Sequence, residues 1–164
     1  MSSPGPSAPL LSLTDVTKRF LNVTALSGVS FDVRRGEVHA LCGENGAGKS
    51  TLMKIVSGMY APDEGKLCFE GEEMRFSSTQ AAQARGIVMI HQELNLVPHL
   101  DVAENIFLGR EPRRGPFVDR ARLRAGAQAC LDRLGVAIRP GSPVAGLSVA
   151  QQQMVEIAKA LSMS

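Results

Sequence analysis

The chain has 164 residues, of which 44% are apolar and 21% are charged, with a formal net charge of +2. This size and composition predict a soluble globular protein with a real core, and the small charge argues against a nucleic-acid-binding protein. The three cysteines lie far apart without a C-x-x-C pair, which disfavours disulfides or a metal site and predicts small buried side chains in a reducing compartment. Residues 1–10 are rich in Ser, Pro and Gly and predict a disordered tail rather than a signal peptide. No apolar run approaches the roughly 18 residues that a membrane-spanning helix needs.

The first part of the chain predicts strands that lead into a glycine-rich loop. Residues 11–16 and 29–33 alternate apolar and polar side chains, as half-buried strands do. Residues 38–42 form a short apolar run after a turn, which predicts a buried strand. Apolar residues with helical spacing then predict a helix that ends near Gly58. These residues are Leu52, Ile55, Val56 and Met59.

Residues 43–51, between the predicted strand and helix, read GENGAGKST. They fit the pattern G-x-x-x-x-G-K-[ST], a loop that binds nucleotide phosphates. The glycines let backbone N–H groups approach phosphate oxygens, because no Cβ intervenes. Lys49 supplies a positive charge for the β- and γ-phosphates, and Ser50 supplies a hydroxyl ligand for Mg²⁺. The N-terminus of the following helix directs its N–H groups and positive dipole end to the same anion.

The middle of the chain predicts two further strands and a short helix. Residues 66–69 predict a strand. Ser77 and Gln80 have the spacing of a capping box, which predicts the start of the helix. Residues 86–90 are a compact apolar run and predict a buried strand. This strand would deliver Gln92 at its carboxyl end, where open α/β sheets place ligand-binding groups.

From about residue 99 onward the sequence signals are helical. Asp101 is the predicted N-cap of a helix over residues 102–108. Residues 110–117 contain proline and glycine and predict an irregular segment. Asp119 is the predicted N-cap of a longer helix that Gly135 ends.

The last predicted helix begins after Ser148. Gln151 lies three residues further on and completes a second capping box. A helix N-terminus is also an anion site, although on the residues alone an ordinary cap is the favoured explanation. The signals together predict a mixed α/β core over residues 11–98 and a helical subdomain over residues 99–164.

One stretch of the second half is unusually rich in arginine. A solvated helix face and loop is the favoured explanation, and a contact with phospholipid or with an acidic partner is the alternative. The arginines are Arg110, Arg113, Arg114, Arg120, Arg122 and Arg124.

Three motifs occur in a fixed order: residues 43–51, Gln92 after an apolar run, and Leu147-Ser148-x-x-Gln151. This set resembles the ABC transporter ATP-binding subunit, in which they are the Walker A loop, the Q-loop and the signature motif. The resemblance covers nearly all of residues 10–164 and favours the monosaccharide-import branch, the ribose, galactose and arabinose type. Segments 91–98, 103–111 and 147–161 carry the resemblance to that branch. Val149 and Ala150 replace two glycines of the general signature L-S-G-G-Q, a substitution that the sugar branch often shows.

The resemblance implies an α/β fold of the P-loop NTPase, ABC type, with an antiparallel β-subdomain and a helical subdomain. It implies ATP and Mg²⁺ as cofactors, with Ser50 and Gln92 at the metal and Phe20 stacked on adenine. Ser148 and Gln151 would cover the ATP held by a second ATP-binding domain in a head-to-tail dimer. The residues implied in ATP binding are Gly43, Glu44, Asn45, Gly46, Ala47, Gly48, Lys49, Ser50, Thr51, Phe20, Gln92, Ser148 and Gln151.

The resemblance also implies partners and a location. It implies a sugar-transporting ATPase that couples ATP binding and hydrolysis to sugar uptake. Residues 94–105 would dock on transmembrane permease subunits, which work with a sugar-binding protein and not with nucleic acid. The subunit would be peripheral, on the cytoplasmic face of the plasma (inner) membrane.

In this family a Walker B aspartate and a catalytic glutamate follow the signature helix, whereas this sequence stops at Ser164. We therefore expect an N-terminal fragment, truncated before Walker B, that contains no catalytic residue of its own. Alone it would hydrolyse ATP poorly or not at all. A non-catalytic nucleotide-binding fragment is the alternative function. A kinase or GTPase is disfavoured by Leu-Ser-x-x-Gln. A chromosome ATPase is excluded because too few residues separate Gln92 from Ser148 to hold a long coiled coil.

Overall fold

The structure is a computed structural model that describes residues 8–163. Its contacts divide the chain into two compact units, the first ending at Ile87 and the second beginning at Val88. The boundary predicted from the sequence lies near residue 98. The boundary falls earlier because residues beyond Val88 bond within the second unit. The Asn95 N–H, for example, donates to the Glu156 carboxylate at 2.8 Å.

One residue of the predicted N-terminal tail, Leu10, is hydrogen-bonded to the sheet of the first unit. Residues 1–7 lie outside the described part of the chain. Leu10, which the prediction includes in the tail, bonds to the backbone on both sides. Its N–H donates to the Val33 carbonyl at 2.8 Å, and its carbonyl accepts from the Glu70 N–H at 2.8 Å. The backbone hydrogen bonding of the sheet therefore includes Leu10, one residue before the first strand.

The first unit contains a four-stranded antiparallel sheet. Its strands are β1 (Leu11–Phe20), β2 (Val23–Val33), β3 (Glu64–Phe69) and β4 (Glu72–Glu73), in the order β2-β1-β3-β4. The three predicted strands at residues 11–16, 29–33 and 66–69 are confirmed, and each runs further than predicted. Helices α1 (Lys49–Val56) and α2 (Thr79–Ala84) belong to the same unit.

A small apolar core joins the sheet to α1. The predicted apolar face of this helix is confirmed at its three buried residues, whereas Met59 lies beyond the helix end and is 41% exposed. Burial of each leucine or isoleucine stabilises the fold by roughly 1.5–3 kcal/mol. The core residues are Leu13, Val16, Leu26, Leu52, Ile55, Val56 and Leu67.

The cap predicted for α2 is wrong by one residue. The hydroxyl of Ser78, rather than that of Ser77, accepts the N–H of Ala81 at 3.2 Å. Both serines precede the helix, and only the geometry distinguishes them. The helix itself lies where it was predicted.

The two predicted buried strands at residues 38–42 and 86–90 are wrong. Neither segment is a strand in the structure, and Val38 is 97% exposed and Ile90 49% exposed. A strand exists only when a neighbouring backbone satisfies its N–H and C=O groups, and within residues 8–163 no such neighbour pairs with either segment. The expectation for cysteine fails here too, because Cys42 is exposed while Cys130 is buried.

The second unit is helical and carries a small hairpin. Helices α3 (Val102–Ile106), α4 (Arg120–Arg133) and α5 (Val149–Leu161) form its frame. The segment predicted as irregular contains strands β5 (Arg113–Arg114) and β6 (Phe117–Val118), which pair antiparallel. A single 3₁₀ turn, Val144–Gly146, precedes α5. None of the helices in the described residues is long and apolar enough to cross a membrane.

The helix starts of this unit follow the sequence prediction. Asp101 and Glu104 form a full capping box, with the Glu104 N–H donating to Asp101 at 2.8 Å and the Asp101 N–H to Glu104 at 3.0 Å. Asp119 accepts the N–H of Arg122 at 3.0 Å and caps α4. The core that these helices share comprises Val102, Ala103, Ile106, Leu123, Ala127, Cys130, Leu131, Ile138, Val144, Val155 and Ala158.

One buried polar side chain ties the connecting segment to this core. Asn105 is 0% exposed, and its carbonyl oxygen accepts the N–H of Val97 at 2.7 Å. Its amide nitrogen donates to the carbonyls of Val97 at 3.1 Å and Asp101 at 3.0 Å. A buried side-chain amide whose hydrogen bonds are all made stabilises the fold, because its removal leaves backbone groups without partners.

We predict that Asn105→Ala lowers the free energy of unfolding by about 1–3 kcal/mol, because it removes the partner of the Val97 N–H. Urea unfolding followed by circular dichroism measures this change. Asn95→Ala is the matched control, since Asn95 is exposed and its side chain donates only one bond, at 3.3 Å to the Glu93 carbonyl. Equal destabilisation by the two substitutions would contradict the anchoring role.

Candidate functional site

The glycine-rich loop of the first unit leads directly into α1. Its backbone turns through a bond from the Ala47 N–H to the Glu44 carbonyl at 3.2 Å. Gly46 and Gly48 have φ angles of +89° and +82°, in the left-handed region that favours glycine. Gly48 is the N-cap of α1 and offers no side chain to the first N–H groups of the helix. Those N–H groups remain available to a ligand.

Gly48 also lies against the sheet, and this contact fixes where the loop ends and the helix starts. A Cβ at this position would lie 2.4 Å from the Ala25 carbonyl oxygen and 2.7 Å from Leu26 Cδ2. Only glycine lets the backbone approach β2 so closely. At Gly46, by contrast, a Cβ would meet no atom within 4 Å, so that side of the loop is open.

The Lys49 ammonium lies across the loop. It donates to the Gly43 carbonyl at 2.6 Å and to the Glu44 carbonyl at 2.7 Å. These bonds hold a positive charge beside the uncapped helix N-terminus, where no residue of the first helical turn is acidic. Ser50, the next residue, is exposed. Backbone donors, a helix dipole, a cation and a hydroxyl are the groups that a polyphosphate with a divalent metal requires.

Phe20 lies at the end of β1, in the same unit as the loop. The residue is 38% exposed, and its ring contacts that of Tyr60 edge to face, with the ring centroids 5.2 Å apart. The Lys18 ammonium lies 5.5 Å from the Phe20 ring centroid and donates to Asp63 at 2.8 Å. Hydrogen bonds from Lys18 and from the Arg19 N–H lower the pKa of the Asp63 carboxyl below its ordinary value. Phe20 therefore presents part of its ring to solvent on a fixed support, and its contact with adenine stays a prediction.

The second predicted phosphate motif lies at the start of α5, in the second unit. The Ser148 N–H donates to the Gln151 side chain at 3.0 Å, and the Gln151 N–H donates to the Ser148 hydroxyl at 3.3 Å. The capping box is therefore confirmed. Residues 148–151 are all exposed, and Val149 is 64% exposed. Their role toward a nucleotide of a second domain stays a prediction.

Gln92 also belongs to the second unit. It is exposed and lines a groove of about 480 Å³ together with Leu94, Met154 and Ile157. No group of three or more His, Cys, Asp or Glu side chains within residues 8–163 could hold a metal ion by itself. The metal roles of Ser50 and Gln92 therefore stay predictions that require phosphate oxygens to complete the ligand set.

Two contacts that position the site residues were not predicted from the sequence. The approach of Gly48 to Ala25 joins residues distant in the chain, and no local pattern signals it. The contact between Phe20 and Tyr60 also joins residues distant in the chain, and no local pattern signals it.

A glycine loop between a sheet and a helix, with a lysine over its carbonyls, defines a nucleotide-binding protein of the phosphate-binding-loop class. The sequence pattern of the ABC transporter family matches residues 26–164. The chain belongs to the ABC transporter family.

Its relatives include proteins that are much longer. A protein of Agrobacterium fabrum, provisionally named a ribose/galactose/methyl galactoside import ATP-binding protein, is 64% identical over 94% of this chain. Ribose import ATP-binding protein RbsA 1 of Streptomyces avermitilis is 56% identical, again over 94% of this chain. The chain spans about 30% of the length of each of these two relatives.

Solved structures show the same fold. The ABC transporter cassette MJ1267 is 28% identical, with a TM-score of 0.83 over 96% of this chain and 66% of its own. CbiO1 from Clostridium perfringens, part of an ABC transporter complex, is 25% identical, with a TM-score of 0.79 over 96% of this chain and 62% of its own. MJ0796, a bacterial cassette solved as a dimer, is 27% identical, with a TM-score of 0.72 over 93% of this chain and 69% of its own. The predicted ABC-type fold is confirmed.

We predict that Gly48→Ala lowers the free energy of unfolding by about 1–3 kcal/mol more than Gly71→Ala does, because its Cβ meets the Ala25 carbonyl. Gly71 is the matched control, since it has a φ of +83° and a Cβ there would meet nothing within 4 Å. Both variants carry the cost of about 1–2 kcal/mol for a left-handed backbone, so the difference isolates the contact. Urea unfolding of the two variants measures it, and equal losses would contradict the close approach.

Proposed function

We propose that this chain is the ATP-binding part of a subunit of a sugar-importing ABC transporter. The observation that carries the proposal is the loop at residues 43–51, with its uncapped helix N-terminus and the Lys49 ammonium held across it. The relatives named above are import ATP-binding proteins for ribose, galactose or methyl galactoside, which supports a monosaccharide as the transported class.

In this proposal the loop binds the triphosphate. The backbone N–H groups at the start of α1 donate to its oxygens, and Lys49 exchanges its bonds to the Gly43 and Glu44 carbonyls for bonds to phosphate. Ser50 and Gln92 contribute oxygens to Mg²⁺, which when bound neutralises charge on the phosphates. Phe20 stacks on adenine with its exposed ring face.

The proposal includes a second copy of the ATP-binding domain. Ser148 and Gln151 are exposed and already satisfy each other, so they can present a helix N-terminus to a phosphate from outside their own unit. A solved relative of the same fold forms a dimer, which supports this arrangement. Permease subunits in the membrane, and through them a sugar-binding protein, are the further partners. The subunit would therefore be peripheral to the cytoplasmic face of the inner membrane.

The binding part of the proposal is tested with a fluorescent ATP analogue and Mg²⁺. We predict that Lys49→Ala weakens binding by about 10- to 100-fold, the equivalent of one charge-assisted hydrogen bond. Lys66→Ala, which removes an exposed lysine of β3 paired with Glu73, should leave affinity unchanged. Ser148→Ala should also leave it unchanged in the isolated chain. Equal affinity in Lys49→Ala and Lys66→Ala would contradict the assignment of the loop.

The import part is tested by transplanting the sequence. Residues 10–163 replace the matching segment of the Streptomyces avermitilis ribose import protein, and ribose uptake is measured in cells that lack the native subunit. We predict uptake with the transplanted sequence and its loss with Lys49→Ala in the same background. A transplanted subunit that binds ATP, assembles with the permease and restores no uptake would contradict the sugar-import assignment while leaving nucleotide binding in place.

A further inference from the structure

The hairpin β5–β6 of the second unit exposes both arginine and apolar side chains. Phe117 is 75% exposed and Val118 is 44% exposed. Arg113 and Arg114 are exposed, and within residues 8–163 neither forms an ion pair. Gly115, at the turn, has a φ of +65°, and a Cβ there would meet nothing within 4 Å. The tip of the hairpin is therefore open on its outer side.

The pairing of the two strands gives each face of the hairpin the same composition. Arg114 lies opposite Phe117, and Arg113 lies opposite Val118. Residues paired across antiparallel strands lie on the same face, and successive residues lie on opposite faces. Each face therefore combines one cation with one exposed apolar side chain.

The surrounding chain makes this region the basic part of the molecule. Residues 110–124 contain six arginines and only two acidic residues, so their net charge is +4 in a chain whose total is +2. The remaining residues together are net negative. The two acids already have partners. Glu111 accepts the Gly109 N–H at 2.9 Å, and Asp119 accepts the Arg122 N–H at 3.0 Å.

Not every arginine of this stretch is available to a partner. Arg110 donates to the Ile106 carbonyl at 3.0 Å and to the Ser162 hydroxyl at 2.8 Å, which directs it to its own unit. Hydrogen bonding to the Gly109 N–H, with the charges of Arg113 and Arg110, lowers the pKa of the Glu111 carboxyl, so this acid stays charged at neutral pH. Arg113 and Arg114 are the two arginines of the hairpin itself, and neither forms an ion pair within residues 8–163.

We propose that the β5–β6 hairpin contacts an anionic phospholipid surface. Arginines bind the phosphate groups, and Phe117 and Val118 enter the interfacial layer, where an apolar side chain next to a cation is stabilised. The contact adds an attachment to the bilayer that does not depend on nucleotide or on the permease.

The shape and charge of the region favour a lipid surface over other anionic partners. A short hairpin with exposed side chains and an open turn suits a planar surface, whereas an acidic peptide needs a groove or a sheet edge. A nucleic acid needs a basic track along the molecule, and here the chain outside residues 110–124 is net negative. An anionic membrane needs only a local basic and apolar patch.

The sequence itself supplies a clean spectroscopic test, because it contains no tryptophan. Phe117→Trp places the one tryptophan of the variant in the hairpin, where its emission is excited selectively over that of Tyr60. The variant is titrated with vesicles of phosphatidylcholine alone and of equal parts phosphatidylcholine and phosphatidylglycerol. We predict a blue shift and quenching by brominated acyl chains only with the anionic vesicles. Adding Arg113→Ala and Arg114→Ala should lower the partition coefficient by about 25-fold, since each arginine near the surface contributes about 5-fold.

The matched control removes the same charge elsewhere. Arg35→Ala with Arg75→Ala, both exposed positions of the first unit, should leave the partition coefficient of the Phe117→Trp variant unchanged. An equal loss in both pairs would show a general charge effect and overturn the proposal. Equal binding to neutral vesicles, or tight binding of single-stranded RNA or an acidic peptide with no shift on anionic vesicles, would also overturn it. Nucleotide binding measured on the same variants keeps this outcome separate from that of the proposed ATP site.

Discussion

The close approach of Gly48 to the Ala25 carbonyl is the contact on which the phosphate loop depends. It leaves no room for a side chain, since a Cβ would lie 2.4 Å from that oxygen. The approach seats the N-terminus of α1 on β2, and the leucine and isoleucine of α1 then close the core beneath the sheet. Because the cap is a glycine, the first N–H groups of the helix donate to no capping side chain. Stability of the first unit and affinity for an anion thus share one structural cause.

The two helix N-termini that we propose to contact nucleotide differ in their caps. At α1 the cap is a glycine, and the charge comes from Lys49, which bonds to loop carbonyls. At α5 the cap is complete, because Ser148 and Gln151 bond to each other. The first end therefore offers unsatisfied donors that suit tight binding of a triphosphate. The second offers a finished, exposed surface that suits a ligand presented by another domain.

Local signals in the sequence predicted much of this molecule. The starts of three helices were predicted from their N-caps, Asp101, Asp119 and Ser148, because a cap involves only residues within one turn. The alternation of apolar and polar residues predicted the antiparallel strands, because this pattern is also local to each strand. The apolar runs at residues 38–42 and 86–90 led to wrong strand predictions, because the formation of a strand depends on a partner strand and not on its own composition alone. No periodicity of the sequence indicates the hydrogen bonds of Asn105, the contact between Phe20 and Tyr60, or the close approach of Gly48 to β2. Each of these depends on how separate segments of the chain pack against one another. The motif residues of the loop were predictable, whereas the support that positions them was not.

The central claim is that residues 43–51 form the site for the phosphates of ATP. Amide chemical shifts of the ¹⁵N-labelled chain, recorded while Mg·ATP is added, test it most directly. We predict that the largest shifts fall on the amides of residues 46–51, that AMP reproduces them weakly, and that Lys49→Ala raises the Mg·ATP concentration at half-maximal shift by about 10- to 100-fold. An unchanged half-maximal concentration in Lys49→Ala, or shifts concentrated outside the loop, would contradict it.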